Sequence, residues 1–136
     1  MADSINIVTY FSVVVPNKPG EGAKVLVGLK DAGIQLTGFW AYPIKGKKKQ
    51  LDLVPTDAKA FGKAAKKLGL NVAPKQSCLC WIGEDHPGAL AGAAVKLGDA
   101  GIPVHAAQAI STGEGKFGCL VQVAAEHLKK AKKVLS

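Results

Sequence analysis

The strongest constraint on this chain is that it repeats itself. Pro19-Gly20 recurs as Pro87-Gly88, and Leu29-Lys30-Asp31-Ala32-Gly33-Ile34 recurs as Leu97-Gly98-Asp99-Ala100-Gly101-Ile102, both at an offset of 68 residues. Phe11, Val13 and Val15 align with Leu79, Trp81 and Gly83 at that offset, while Phe61, Ala64 and Leu68 align with Leu128, Ala131 and Leu135 at 67. Self-similarity at a fixed period means that one supersecondary unit is written twice. The 136 residues therefore divide into a first module over residues 1–73 and a second over 74–136, and a 48% hydrophobic content gives both a core.

Each copy reads the same way. Alternating apolar residues at 11, 13 and 15 predict a strand with one buried face. Pro-Gly then opens a helix, with proline tolerated in the first turn. Leu26, Leu29 and Ala32 form its apolar stripe in copy one, and Leu90, Ala94, Leu97 and Ala100 in copy two. Gly33 and Gly101 end it as left-handed C-caps. The segments IQLTGFWAYPI and QLDLV around GKKK predict a hairpin, and TDAKAFGKAAKKLG predicts a helix capped by Thr56 or Asp57.

With a short strand at Leu70 to Ala73, the order is that of an α+β, ferredoxin-like βαββαβ sandwich, with two helices on one face of a four-stranded antiparallel sheet. Copy two has no residues left for its last strand, whereas SINIV precedes copy one with nothing to do there. The expectation is an exchange: residues 1–9 complete the second module, residues 70–76 complete the first, and the sheet is continuous.

A strand, an Asn/Asp-x-Pro-Gly turn, a helix and Gly-Ile in this order resemble the ACT domain, a small-molecule-sensing module of amino-acid-pathway enzymes. Asn17-Lys18-Pro19-Gly20 and Asp85-His86-Pro87-Gly88 stand where that family has its strand-to-helix turn; Gly33-Ile34-Gln35-Leu36 and Gly101-Ile102-Pro103-Val104 stand where it begins the second strand. The resemblance covers nearly the whole chain as a tandem pair. It implies a non-catalytic regulator that binds a free amino acid or similar small carboxylate, forms a homodimer and acts on an amino-acid-pathway enzyme. The implied ligand-binding residues are Asn17, Lys18, Pro19, Gly20, Ile34 and Gln35 in copy one, and Asp85, His86, Pro87, Gly88 and Ile102 in copy two.

The turn suits that role physically. Unpaired amides and a partial positive charge at a helix start accept a carboxylate. Asn17 or Asp85 accepts a hydrogen bond from the ligand's ammonium group, or else simply caps its helix. Pro103, opposite Gln35 in the repeat, has neither a backbone donor nor a polar side chain, so the two sites are not expected to be equal. Phe39, Trp40 and Tyr42 crowd the second strand of copy one, either as a wall for ligand or as a surface for a partner subunit. Two alternatives stand beside the sensor: a ligand-free interaction module, and a polyanion-binding ferredoxin-like domain.

The net charge of +8 raises the polyanion reading, but every one of the 18 basic residues is lysine, and arginine is the side chain suited to bidentate phosphate and guanine contacts. The lysines cluster at 45–49, 59–67 and 129–133, as on a hairpin tip and two wet helix faces. Nucleic acid is not the expected partner. No stretch approaches the roughly 20 apolar residues of a membrane span, and the first residues lack a signal-peptide pattern, so a cytoplasmic location is expected. Cys78, Cys80 and Cys119 read as buried, reduced thiols rather than metal ligands, and no cofactor motif is present.

Overall fold

A computed structural model describes residues 3–136. Six strands and four α-helices follow one another as β1 (Ser4–Pro16), α1 (Glu21–Asp31), β2 (Leu36–Ile44), β3 (Lys48–Pro55), α2 (Ala58–Leu68), β4 (Gln76–Glu84), α3 (Ala89–Asp99), β5 (Ala106–Ser111), β6 (Lys116–Gln122) and α4 (Leu128–Leu135). The chain forms two compact units, one from residues 9–76 and one from residues 1–8 together with 77–136. The strand that begins the chain is therefore shared. Its first residues complete the second module, and its remainder belongs to the first.

In the first module the hydrogen-bonded order is β2-β3-β1, with Phe11 opposite Leu53, Val13 opposite Leu51, and Trp40 opposite Asp52. Alternation sends Phe11, Val13, Leu51 and Leu53 to one face. There they meet Val25 and Leu29 of α1 and Phe61, Ala64 and Ala65 of α2 in a single core. Phe61 is fully buried and stacks on Phe11 at 4.5 Å between ring centroids. The second module repeats the plan as β1-β4-β6-β5. Leu79, Trp81, Phe117, Cys119 and Val121 face Leu97 of α3 and Leu128, Ala131 and Leu135 of α4. Ile5 of β1 packs against this second core, and the Asp3 carboxylate accepts from the Trp81 indole at 3.0 Å.

Two local expectations differ from the structure. Residues 70–73 are not a strand: Leu70 and Val72 pack on the first core, but only an isolated bridge joins Val13 to Val72. Pro74 follows directly and has no N–H to extend the ladder. The second strand of copy two also starts late, at Ala106 rather than at Gly101-Ile102.

The helix ends follow the sequence. Gly33 and Gly101 have φ of 76° and 70°. The amide of the following isoleucine reaches back to Leu29 O (2.9 Å) and Leu97 O (3.0 Å), the six-to-one bond of a Schellman stop. Asp57 caps α2 by accepting from Ala60 N at 3.0 Å.

Candidate functional site

Pro-Gly does more specific work than opening a helix. In both copies it forms a type II turn, which calls for proline at its second position and a positive-φ residue at its third. Glu21 N–H donates to Lys18 O at 3.3 Å with Gly20 at φ 89° and ψ −15°, and Ala89 N–H donates to His86 O at 3.2 Å with Gly88 at φ 86° and ψ 1°. The helix therefore begins one residue after glycine, and proline lies outside it. No side chain caps either helix, so Asn17 and Asp85 are not caps. The amides of Leu90 and Ala91 meet no protein acceptor among the described residues, because Ala89 closes the turn and Gly92 starts the helical ladder to Gly88 O. Open space adjoins both glycines, where an added Cβ would meet nothing within 4 Å.

The hairpin following each helix fastens each turn. Asn17 N–H donates to Lys47 O at 2.9 Å, and Asp85 N–H to Gly115 O at 2.9 Å. Lys47 and Gly115 are themselves 68 apart and both have positive φ, 58° and 74°. The repeat thus extends to the backbone contact that orients the site.

Around the second turn, Asp85, His86 and Gly88 line a cavity of about 310 Å³ together with Leu90, Ile110, Ser111 and Phe117. The His86 Nδ1 lies 3.0 Å from Pro87 O. His86 and Gly88 also line a neighbouring cavity of about 290 Å³ that brings in Asp3, Glu84 and Lys96, so carboxylates and an ammonium group stand close by. Ser111 has no role in the sequence reading, and Leu90, expected on the apolar stripe of its helix, instead borders this space. A polar residue at the end of the strand facing the turn was the available signal.

The remaining site candidates are placed as follows. Asn17, Lys18, Pro19 and Gly20 are exposed on the first turn. Gln35 is exposed; its side chain donates to Leu36 O at 3.4 Å and its carbonyl accepts from Thr56 N–H at 3.0 Å. Ile34 packs against the first core, and Ile102 is 4% exposed in the second. Those isoleucines are the apolar partners of the helix stops, and their side chains are taken up by packing. Pro87 occupies the corner of its turn.

A polar cluster on the helix-free face of the first module was not anticipated. Asp52, with no exposed surface, accepts from Ser12 Oγ at 2.6 Å, Tyr42 Oη at 2.8 Å and Gln50 Nε2 at 3.0 Å. Burial, and then the bond to Asp52, hold the Tyr42 phenol well above its ordinary pKa. Trp40 lies on the same face, its ring 6.0 Å from that of Tyr10, which occupies the two aromatic side chains within the module.

The cysteines do not converge. Cys119 belongs to the helix-facing core, while Cys78 and Cys80 alternate with the core residues Leu79 and Trp81 and so face the other way. Burial raises the pKa of Cys80 and of Cys119. Among the described residues no cluster of histidines, cysteines and carboxylates is placed to hold a metal ion, and no helix is long and apolar enough to cross a membrane.

No protein-family model matches the chain, and no curated protein matches it in sequence. Solved structures do match it over nearly its full length. A protein from Bacteroides thetaiotaomicron superposes with a TM-score of 0.83 at 18% identity, covering 96% of this chain and 88% of the other. The regulatory subunit of aspartate kinase from Thermus thermophilus gives 0.68 at 16%, covering 98% and 93%. The equivalent subunit from Thermus flavus gives 0.66 at 14%, covering 99% and 95%. At these identities the likeness is one of fold. The chain has the tandem ACT-type, ferredoxin-like fold of these structures.

Proposed function

We propose that this chain is a non-catalytic cytoplasmic sensor that binds a free amino acid, or a similar small carboxylate, and passes its bound state to an amino-acid-pathway enzyme. The observation that carries the reading is the cavity at the start of α3, where uncapped helix amides, Asp85, His86 and Ser111 border one space. A carboxylate suits the amides and the positive helix end, and an ammonium group suits Asp85. The regulatory subunits that share the fold support the same reading.

Calorimetry of the protein against the twenty amino acids tests it. At least one is expected to bind, and Asp85→Asn is expected to weaken it tenfold or more, since a charge-assisted hydrogen bond contributes about 1.5–3 kcal/mol. Glycine replacements at the turn are poor probes because Gly88 has a φ of 86°, where any side chain brings strain of its own. Absence of binding by all twenty, and by small carboxylates tested beside them, refutes the reading.

A second reading, an interaction module, is favoured by exposed apolar side chains in the second module: Ile110 at 74%, Val95 at 60% and Leu90 at 49%. Both readings include a homodimer. In the first module β2, and in the second β5, has a hydrogen-bonded neighbour on one side, and such edges are usually paired or guarded. Sedimentation at high concentration is expected to give a dimer, with Trp40 or Tyr42 near the contact; a monomer with and without amino acids counts against it.

A further inference from the structure

The second module contains a further cavity of about 300 Å³ between α3 and the β5-β6 hairpin. Its walls include Trp81, Leu97 and Val121 from the buried core and Ala93, Ala94 and Ala107 nearer the surface. Gln108 is the one amide-bearing residue on it, and none of the lining residues carries a charge. The repeat explains why the space exists. At the same positions the first module has Val25, Leu26 and Phe39, and there Val25 is 5% exposed while Leu26 packs against the core. Ala93 and Ala94 thus stand where the larger Val25 and Leu26 pack on the first core, whereas Phe39, at the position of Ala107, is 41% exposed.

Leu90 and Ala109 border both this cavity and the one at the Asp85–Gly88 turn, so the polar and apolar spaces adjoin. An apolar cavity of about 150 Å³ suffices for benzene, and a charged group gains nothing from entering one. We infer that this cavity receives the side chain of a large apolar amino acid, aromatic or branched aliphatic, whose charged end lies at the Asp85–Gly88 turn. The inference rests on the sensing reading above, and it assigns the ligand to the second module.

The test uses the full chain and four amino acids: L-phenylalanine, L-leucine, glycine and L-aspartate. The double variant Ala93→Val, Ala94→Leu restores the first module's residues, and the single variant Ala94→Leu, at an exposed position, serves if the double does not fold. In calorimetry L-phenylalanine or L-leucine is expected to bind the parent at least tenfold more tightly than glycine or L-aspartate. The filled variants are expected to lose at least tenfold of that affinity without losing thermal stability. Equal or tighter binding of glycine or L-aspartate, or unchanged binding of L-phenylalanine and L-leucine to folded filled variants, overturns the inference while amino-acid sensing stands. Binding of none of the twenty amino acids overturns both.

Discussion

Replacing Asp52 is expected to show how far the first module depends on its buried polar cluster. In Asp52→Ala, three donors lose an acceptor, but they do not suffer equally. Ser12 is 4% exposed, so its hydroxyl is stranded away from water, a loss of about 1–3 kcal/mol. Gln50 Nε2 still reaches Tyr42 Oη at 2.9 Å and Ser12 Oγ at 3.3 Å, and half-buried Tyr42 can turn to solvent. Loss of the carboxylate's own bonds adds to this, while relief from keeping it out of water offsets part of the total. The net expectation is a destabilisation of about 2–4 kcal/mol. Asp52→Asn retains an oxygen for Ser12 and Gln50 and places a donor against Tyr42 Oη, which can turn its hydroxyl and accept; about 1–2 kcal/mol is expected there. Urea denaturation of parent, Asn and Ala variants, with the slope checked for constancy, measures both. An alanine variant within 0.5 kcal/mol of the parent, or an asparagine variant less stable than the alanine one, refutes this account.

Two further outcomes follow from other elements. The Tyr42 pKa is raised on folding, so its contribution is fully present below the unfolded value near 10 and is lost as pH rises through the folded one. The parent should therefore lose more stability between pH 9 and pH 11 than Tyr42→Phe does, as read from urea midpoints, and equal losses would contradict the raised pKa. Deleting residues 1–7 removes the start of β1 from the second module, including Ile5 and the Asp3–Trp81 bond. Hydrogen exchange around Leu79–Ile82 should accelerate at least as much as in the first module, and unchanged protection would show that the shared strand contributes nothing there.

Much of the fold was legible because the repeat turns weak signals into paired ones. A single Pro-Gly or Gly-Ile is ambiguous, yet two of each at one offset locate both of the helices that follow. The site was harder to read, for physical reasons. Ile34 and Ile102 follow a helix-ending glycine, and position alone does not reveal that a Schellman stop turns such a residue inward to pack. Asp85 looks like a cap in sequence, whereas the type II turn makes Gly88 the residue at the helix start. The cavities depend on whether neighbours fill the space beside small residues. An alignment gives the sizes of Ala93 and Ala107 but not the distances that would let Leu90 or Val104 close over them.

The repeat also shows where the copies part company. The backbone devices match pair by pair: Gly20 with Gly88, Gly33 with Gly101, and Lys47 with Gly115, all at positive φ. The side chains around them do not. Ser12, Tyr42, Gln50 and Asp52 correspond at the 68-residue offset to Cys80, Ile110, Gly118 and Leu120, so the hydrogen-bonded face of the first module becomes an apolar face in the second. Val25, Leu26 and Phe39 give way to alanines, and those alanines line the cavity of the second. The first copy carries the hydrogen-bonded cluster around Asp52, while the second lines a cavity with alanines and exposes Ile110. A division of labour follows. Substitutions at Ser12, Gln50 or Asp52 should lower stability with little effect on ligand affinity, whereas Asp85→Asn and Ala94→Leu should lower affinity with little effect on stability. Melting curves and calorimetry on one panel of variants distinguish this from two equivalent sensors, in which substitutions in either copy would weaken binding alike.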